Sequence, residues 1–272
     1  MGDCATGTAA LESLLTTEYA FSQQARTSVR AAFLEYLSAG SLVLQPAPTP
    51  ARVFYAGTKD SNGLEWYPTL ADLAGSFDLG FTTGPWTYAS ASGGQAYGHF
   101  LTIWRCGATC QWQVEFDGGI SHGAPAAPEP KLLSDQAVYT QRDAPAPRLI
   151  AENAATQAMS DFQDTVRENG FAAGLRTYAR TIDFRFYTDG EAPMGLAGAN
   201  QSLTGHTLIA AWKEDTNGRS SDSTIAYSVG VLADSKERSS HAYVQLWQYD
   251  PRVANWGLRI LLLNPLAPLM SK

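Results

Sequence analysis

The sequence predicts an α+β protein built from two diverged copies of one domain, each a set of helices packed on a strongly curved antiparallel sheet. Three observations predict it. The chain has 272 residues, more than one compact core usually organises. A Pro- and Ala-rich stretch interrupts it near the middle, and the order of sequence patterns on either side of that stretch is the same. Hydrophobic residues are 44% and charged residues 17%, which leaves apolar surface for two cores.

The stretch "SHGAPAAPEPKLLSDQAVYTQRDAPAP", from Ser121 to Pro147, holds five of the 14 prolines, has no sustained period and reads as a linker. It sets a first domain at residues 9–120, a linker at 121–148 and a second domain at 149–268. In the first domain Leu11, Leu14, Leu15, Tyr19, Phe21, Val29, Phe33, Tyr36 and Leu37 recur at helical spacing. Residues 150–179 repeat the plan. A shift of 142 sets Tyr36 against Tyr178, Phe33 against Leu175, Leu42 against Phe184 and Leu44 against Phe186, so helix gives way to strand at matching places. Alternating, strand-like runs follow, "DLGFTTGPWTY" and "TIAYSVGVLAD", with Phe81 on Tyr227 and Gly84 on Gly230. Both halves close on strand, turn, strand, in which Trp104 and Trp112 match Trp247 and Trp256. Each copy is thus a helical hairpin, a short extended piece and three long antiparallel strands.

The segments "EYAFSQQA…VRAAFLEYLSAGSLVLQPAP", "LEWYPTLADLAGSFDLGFTTGPW", "AYGHFLTIWR" and "WQVEFDGG" resemble bacterial members of the nuclear transport factor 2-like superfamily, over Leu11 to Gly119. The second copy is assigned through its correspondence with the first. The resemblance implies a cone, with three helices closing over a curved sheet and a pocket in the mouth between them. It also implies pairing through the sheets, here as an intramolecular pseudo-dimer. The superfamily hosts ketosteroid isomerases, polyketide cyclases, dehydratases, epoxide hydrolases and members without known chemistry, so the fold alone does not choose a function. Export signals are frequent in the subgroup matched, which implies a periplasmic or secreted protein.

Nineteen basic and 26 acidic side chains give a net charge of −7, and the arginines are scattered singly, which argues against nucleic acid as a partner. No apolar window is long enough for a membrane span, and "MGDCATG" lacks the layout of a signal peptide. There is no GxSxG elbow, phosphate-binding glycine loop, HExxH or GxGxxG, and the four histidines are dispersed, so neither a metal nor a cofactor is expected. Cys106 and Cys110, in "WRCGATCQW", flank a hairpin tip where a disulfide is geometrically open, as is a pair of free thiols; Cys4 is unpaired in either case.

Proton chemistry in an apolar cone needs a carboxylate or histidine held where its pKa approaches working pH. The candidates are Asp117, His99 and Asp183. Asp117 ends "WQVEFD" and reads as a pocket-rim acid or as a turn former before Gly118 and Gly119. His99 lies in an aromatic strand, on the face opposite Phe100 and Trp104. Asp183 sits between Arg180 and Arg185, where an ion pair competes with catalysis; Ser41 stands at its matched position, so the copies share no acid there. Asp78 reads as a turn residue, and neither His206 nor His241 has a matched histidine. Trp66, Trp86 and Trp104, with His99 and Asp117, are the expected ligand-binding set. The expected function is binding of a small hydrophobic or aromatic ligand in the cone, or service as an interaction scaffold. The alternative is an isomerase, dehydratase or cyclase using a pocket carboxylate or histidine.

Overall fold

The computed structural model describes residues 5–90, 93–133, 154–181, 183–204, 211–234, 236, 238–251 and 253–266. Cys4, His206 and the linker residues 134–148 lie outside the described residues. The chain divides into two compact units: Met1–Leu44, Thr49–Asp143 and Gly190–Ala192 form unit 1, and Gln45–Pro48, Ala144–Asp189 and Pro193–Lys272 form unit 2.

Unit 1 opens with α1 (Gly7–Ala25) and α2 (Val29–Tyr36). The predicted helical run is broken between them, where Ser28 caps α2 by accepting from the Ala31 amide at 3.0 Å. Next come β1 (Leu37–Leu44), β2 (Pro48–Pro50), α3 (Ala51–Gly57), β3 (Leu64–Trp66), β4 (Leu70–Leu73), β5 (Leu79–Ala89), β6 (Gln95–Cys106) and β7 (Trp112–His122). The sheet order is β2-β1-β7-β6-β5-β3 with β4 also on β5; β1 lies parallel to β7, and β5, β6 and β7 form the long antiparallel meander. The helices bury Leu11, Leu14, Leu15, Phe21 and Phe33 against Trp66, Phe100, Trp104 and Val114 on one face of that sheet. The strand β7 runs two residues into the stretch read as linker, so His122 belongs to the sheet.

Unit 2 has the same plan: α4 (Ala154–Asn169), α5 (Phe171–Tyr178), β8 (Arg185–Thr188), α6 (Leu196–Ser202), β9 (Ala211–Arg219), β10 (Ile225–Ala233), β11 (Ser239–Asp250) and β12 (Asn255–Pro265). Its order is β8-β12-β11-β10-β9, again with the first strand parallel to the last. Trp104 pairs with Val114 just beyond a register shift in β6, and Trp247 pairs with Leu258 just beyond the matching shift in β11; such bulges bend the strands where the sheet turns over its helices. Ring contacts repeat too. Phe21 and Tyr36 meet Trp104 edge-on at 6.0 and 6.3 Å, as Phe162 and Tyr178 meet Trp247 at 5.7 and 6.1 Å.

The shift of 142 holds at the end of the helices, where Leu37 pairs with Val114 and Ala179 with Leu258, but it slips by one residue before the next strand. Leu42 pairs with Phe116 and Arg185 with Ile260, so Val43 stands opposite Phe186, and Gly40, not Ser41, opposite Asp183. Unit 2 carries one extra residue between helix and strand, and both Val43 and Phe186 point into their cores.

The Gly84 and Gly230 match has a steric cause. A Cβ on Gly84 would collide with the carbonyl oxygen of Tyr67, and one on Gly230 with that of Lys213, because neighbouring backbone, the β3–β4 connection in unit 1 and β9 in unit 2, crosses at contact distance. Gly84→Ala and Gly230→Ala should therefore each lower stability, by about 1–3 kcal/mol, in urea unfolding; an unchanged midpoint for either would show that the crossing strand yields.

Candidate functional site

Along α1 the buried residues Leu11, Leu14, Leu15, Glu18, Phe21, Ser22 and Ala25 form one stripe, and Glu18, though charged, is wholly buried within it. Its carboxylate is placed by donors from three strands. Trp66 Nε1 of β3 donates to Oε1 at 2.5 Å, Trp104 Nε1 of β6 to Oε2 at 3.0 Å, and the Thr82 hydroxyl of β5 to Oε2. Burial pushes the Glu18 pKa up, against the three hydrogen bonds that favour the ionised form. Ser22, one turn on, donates to the Trp66 carbonyl at 2.6 Å and pins the same strand to the helix.

Asp117 lies on the same side of the sheet, where the Thr102 hydroxyl donates to its Oδ2 at 2.7 Å. Its pKa is pushed up to about 7, by burial first and then by the nearby Glu18 charge. Tyr55 of α3, stacked on Phe33 at 4.1 Å between ring centres, has its phenol raised well above the ordinary range by burial and by Asp117. The structure thus sets two carboxyls and a phenol on the helix side of one sheet, Glu18 and Tyr55 buried and Asp117 half-buried. A carboxyl half-protonated near neutral pH is what general acid or base work requires.

A pocket of about 370 Å3 opens at another wall of unit 1. Tyr19 of α1, Trp66 and Tyr67, Trp86 of β5 and Tyr97 of β6 supply its aromatic faces, and residues 124–129 form its outer side. Trp86 can lie across β6 only because Gly98 has no side chain; a Cβ there would enter the indole ring. The outer segment is anchored by the Leu132 amide on the Pro68 carbonyl at 2.9 Å, by the Tyr19 hydroxyl on the Leu132 carbonyl at 2.8 Å, and by Lys131 above the Tyr67 ring.

His99 is buried and stands in a row of short contacts. Its Nδ1 is 2.8 Å from His122 Nε2, its Nε2 is 2.6 Å from Glu129 Oε1, and His122 Nδ1 is 2.7 Å from the Gly123 carbonyl. Three contacts need three protons and two neutral imidazoles carry two, so the row is complete with one proton more, on a ring or on the carboxyl. Burial pulls the His99 pKa down and Glu129 pulls it back up.

Of the expected ligand set, Trp66 and Trp86 lie on the pocket wall. Trp104 does not: it is fully buried with its indole nitrogen spent on Glu18 and Thr82. His99 and Asp117 are likewise off that wall, and His99 reaches it through His122. Asp183 is an ion-pair residue. Burial opposes its ionisation, but Arg180 at 2.8 Å and Arg259 at 3.0 Å outweigh it and hold the pKa below the ordinary value. Asp78 pairs with Arg105 at 3.5 Å, and His241 Nδ1 meets the Ser240 hydroxyl at 3.0 Å. The Cys106–Cys110 disulfide is not formed: Cys106 is a free thiol and Cys110 is disulfide-bonded elsewhere. Cys106 ends β6 in register with Trp112 and packs on the core, whereas Cys110 sits in the turn with φ of 58°.

Sequence reasoning missed Glu18, Tyr55, His122 and Glu129. Only Glu18 carried a signal, its place in an otherwise apolar helical stripe.

No protein-family profile and no curated protein matches the sequence. The chain is similar to solved structures of nuclear transport factor 2-like proteins. A conserved protein from Planctomyces limnophilus is 14% identical, with 40% of this chain and 94% of that one aligned at a TM-score of 0.32. A nuclear transport factor 2-like superfamily protein from Salmonella enterica is 8% identical over 43% and 94% at 0.35, and a protein with a cystatin-like fold from Nostoc punctiforme is 12% identical over 46% and 98% at 0.34. Among the described residues no helix is long and apolar enough to cross a membrane.

A carboxyl with a pKa near 7 in the fold, against 3.8 ordinarily, binds more proton folded than unfolded between those values. Its contribution to stability is therefore full below about pH 4 and is lost as pH rises through about 7. Unfolding of unit 1 should become easier from pH 5 to pH 8, and Asp117→Asn should flatten that slope; an unaltered slope would place the Asp117 pKa in the ordinary range.

Proposed function

We propose that unit 1 binds a small, flat aromatic molecule in the pocket walled by Tyr19, Trp66, Tyr67, Trp86 and Tyr97. The observation that carries this reading is the wall itself: five aromatic side chains from α1, β3, the β3–β4 connection, β5 and β6 surround about 370 Å3. That volume falls in the range of small-molecule sites, and such faces favour stacking over sugar or phosphate recognition. Glu18 supports the wall from behind by fixing the Trp66 indole, so the aromatic face is set before a ligand arrives. The disulfide at Cys110 favours an oxidising compartment, in line with an exported protein.

A second reading has its own observation in Asp117. A carboxyl poised near pH 7 beside the Tyr55 phenol suits removal of a carbon-bound proton from a hydrophobic ketone. It ranks second because Asp117 is not on the wall of the pocket.

Titration with 2-naphthol, followed by tryptophan fluorescence, tests the first reading. Saturable quenching is expected, weakened about tenfold or more in Trp86→Ala, where one stacking face is gone. Quenching that is linear, or the same in Trp86→Ala, would refute it. Exchange of the α-hydrogens of 2-tetralone for deuterium, lost in Asp117→Asn, would put the second reading first.

A further inference from the structure

Trp66 has a counterpart in unit 2. It pairs with Trp86 across β3 and β5, as Trp212 pairs with Leu232 across β9 and β10, and each meets the matched aromatic of the next strand, Trp66 with Phe100 at 6.3 Å and Trp212 with Tyr243 at 4.9 Å. Each also meets the matched helix ring, Phe21 at 4.8 Å and Phe162 at 5.9 Å. One turn before those rings the helices differ: α1 has Glu18 and α4 has Met159, which is also buried but carries no oxygen.

The surrounding donors have been only partly reassigned. Trp247 Nε1, the match of Trp104, donates to Gln245 Oε1 at 3.0 Å. Ser228, the match of Thr82, donates to Glu214 at 2.7 Å and lies 3.1 Å from the Tyr243 hydroxyl. Two buried donors are left over. Trp212 Nε1 and Gln245 Nε2 have no hydrogen-bond partner among the described residues, and Gln245 is wholly buried. Trp212 meets the Phe162 ring at 5.9 Å, and Gln245 is hydrogen-bonded to Trp247, which meets the same ring at 5.7 Å. Leaving a buried donor unpaired costs its desolvation, which an oxygen acceptor would recover. The rim beside them is apolar and half-buried, with Tyr178, Met194, Leu196 and Trp212 packed on the core.

We infer that unit 2 holds a binding site for a small apolar molecule presenting a neutral carbonyl oxygen, which accepts from Trp212 Nε1 and Gln245 Nε2 where unit 1 uses its own Glu18. The oxygen is uncharged because the acidic Glu214 and Asp215 act on Tyr243, the ring that Trp212 meets, so an anion is disfavoured. The body is apolar because the rim is. This site is independent of the aromatic pocket of unit 1.

Acetophenone, with ethylbenzene as the partner of the same shape lacking the oxygen, tests it on the full chain. The readout is the indole N–H resonances in 1H–15N spectra, with Trp212 assigned by its loss in Trp212→Phe. Acetophenone should move the Trp212 resonance downfield to saturation, and ethylbenzene should bind about tenfold more weakly without moving it. Met159→Glu should shift that resonance with no ligand present and weaken acetophenone about tenfold, because the carboxyl then occupies the donor. A Trp212 resonance that acetophenone leaves unmoved, or that both compounds move alike, overturns the inference. Shifts confined to Trp66 and Trp86 would report the pocket of unit 1 and would also count against it.

Discussion

The buried carboxylate of Glu18 is the constraint from which the rest of unit 1 is arranged. Removing a carboxylate from water costs several kcal/mol, and the cost is offset only if its lone pairs are filled in good geometry. Trp66, Trp104 and Thr82 fill them from three different strands, so α1 is fixed in rotation and in height above the sheet. Tyr19 follows Glu18 directly, which turns it to the pocket side, and Trp66 itself lines the pocket. The raised Asp117 pKa comes first from burial and then in part from the same charge. Positioning of the pocket and tuning of the interior acid thus share one residue.

Unit 2 shows what the same architecture does without it. Met159 fills the helix position, Gln245 takes over one indole, and the fold persists because the bulged strands, the paired aromatics and the glycine at the strand crossing are kept. Packing is enough for the fold. The wholly buried carboxylate at this helix position belongs to unit 1, and that is where the two have diverged chemically.

Much of the architecture was legible in the sequence because it is written in periodicity and in residues with one physical use. Gly84 and Gly230 are fixed by a backbone crossing, and Trp104 and Trp247 by a bulge under a helix, so both pairs align without a structure. The one-residue slip at Leu42 escaped because an insertion between helix and strand leaves helical spacing and strand alternation intact on each side. Site residues were harder to find. A glutamate on a helix reads as solvated until its place in the apolar stripe is noticed, and His122 and Glu129 lie in a proline-rich stretch whose composition hides their contacts with His99. The ion-pair reading of Asp183 was legible, since Arg180, three residues before it, is one of its partners, whereas its second partner, Arg259, comes from a strand far along the chain.

The most direct test of this account replaces Glu18 by methionine, the residue unit 2 carries, and measures the urea unfolding of unit 1 at pH 7. If the carboxylate ties helix to sheet, the substitution takes the acceptor from two buried donors, the Trp66 indole and the Thr82 hydroxyl, and lowers stability by about 2–4 kcal/mol. An unchanged or higher stability would contradict the account and show that apolar packing alone holds α1 in place.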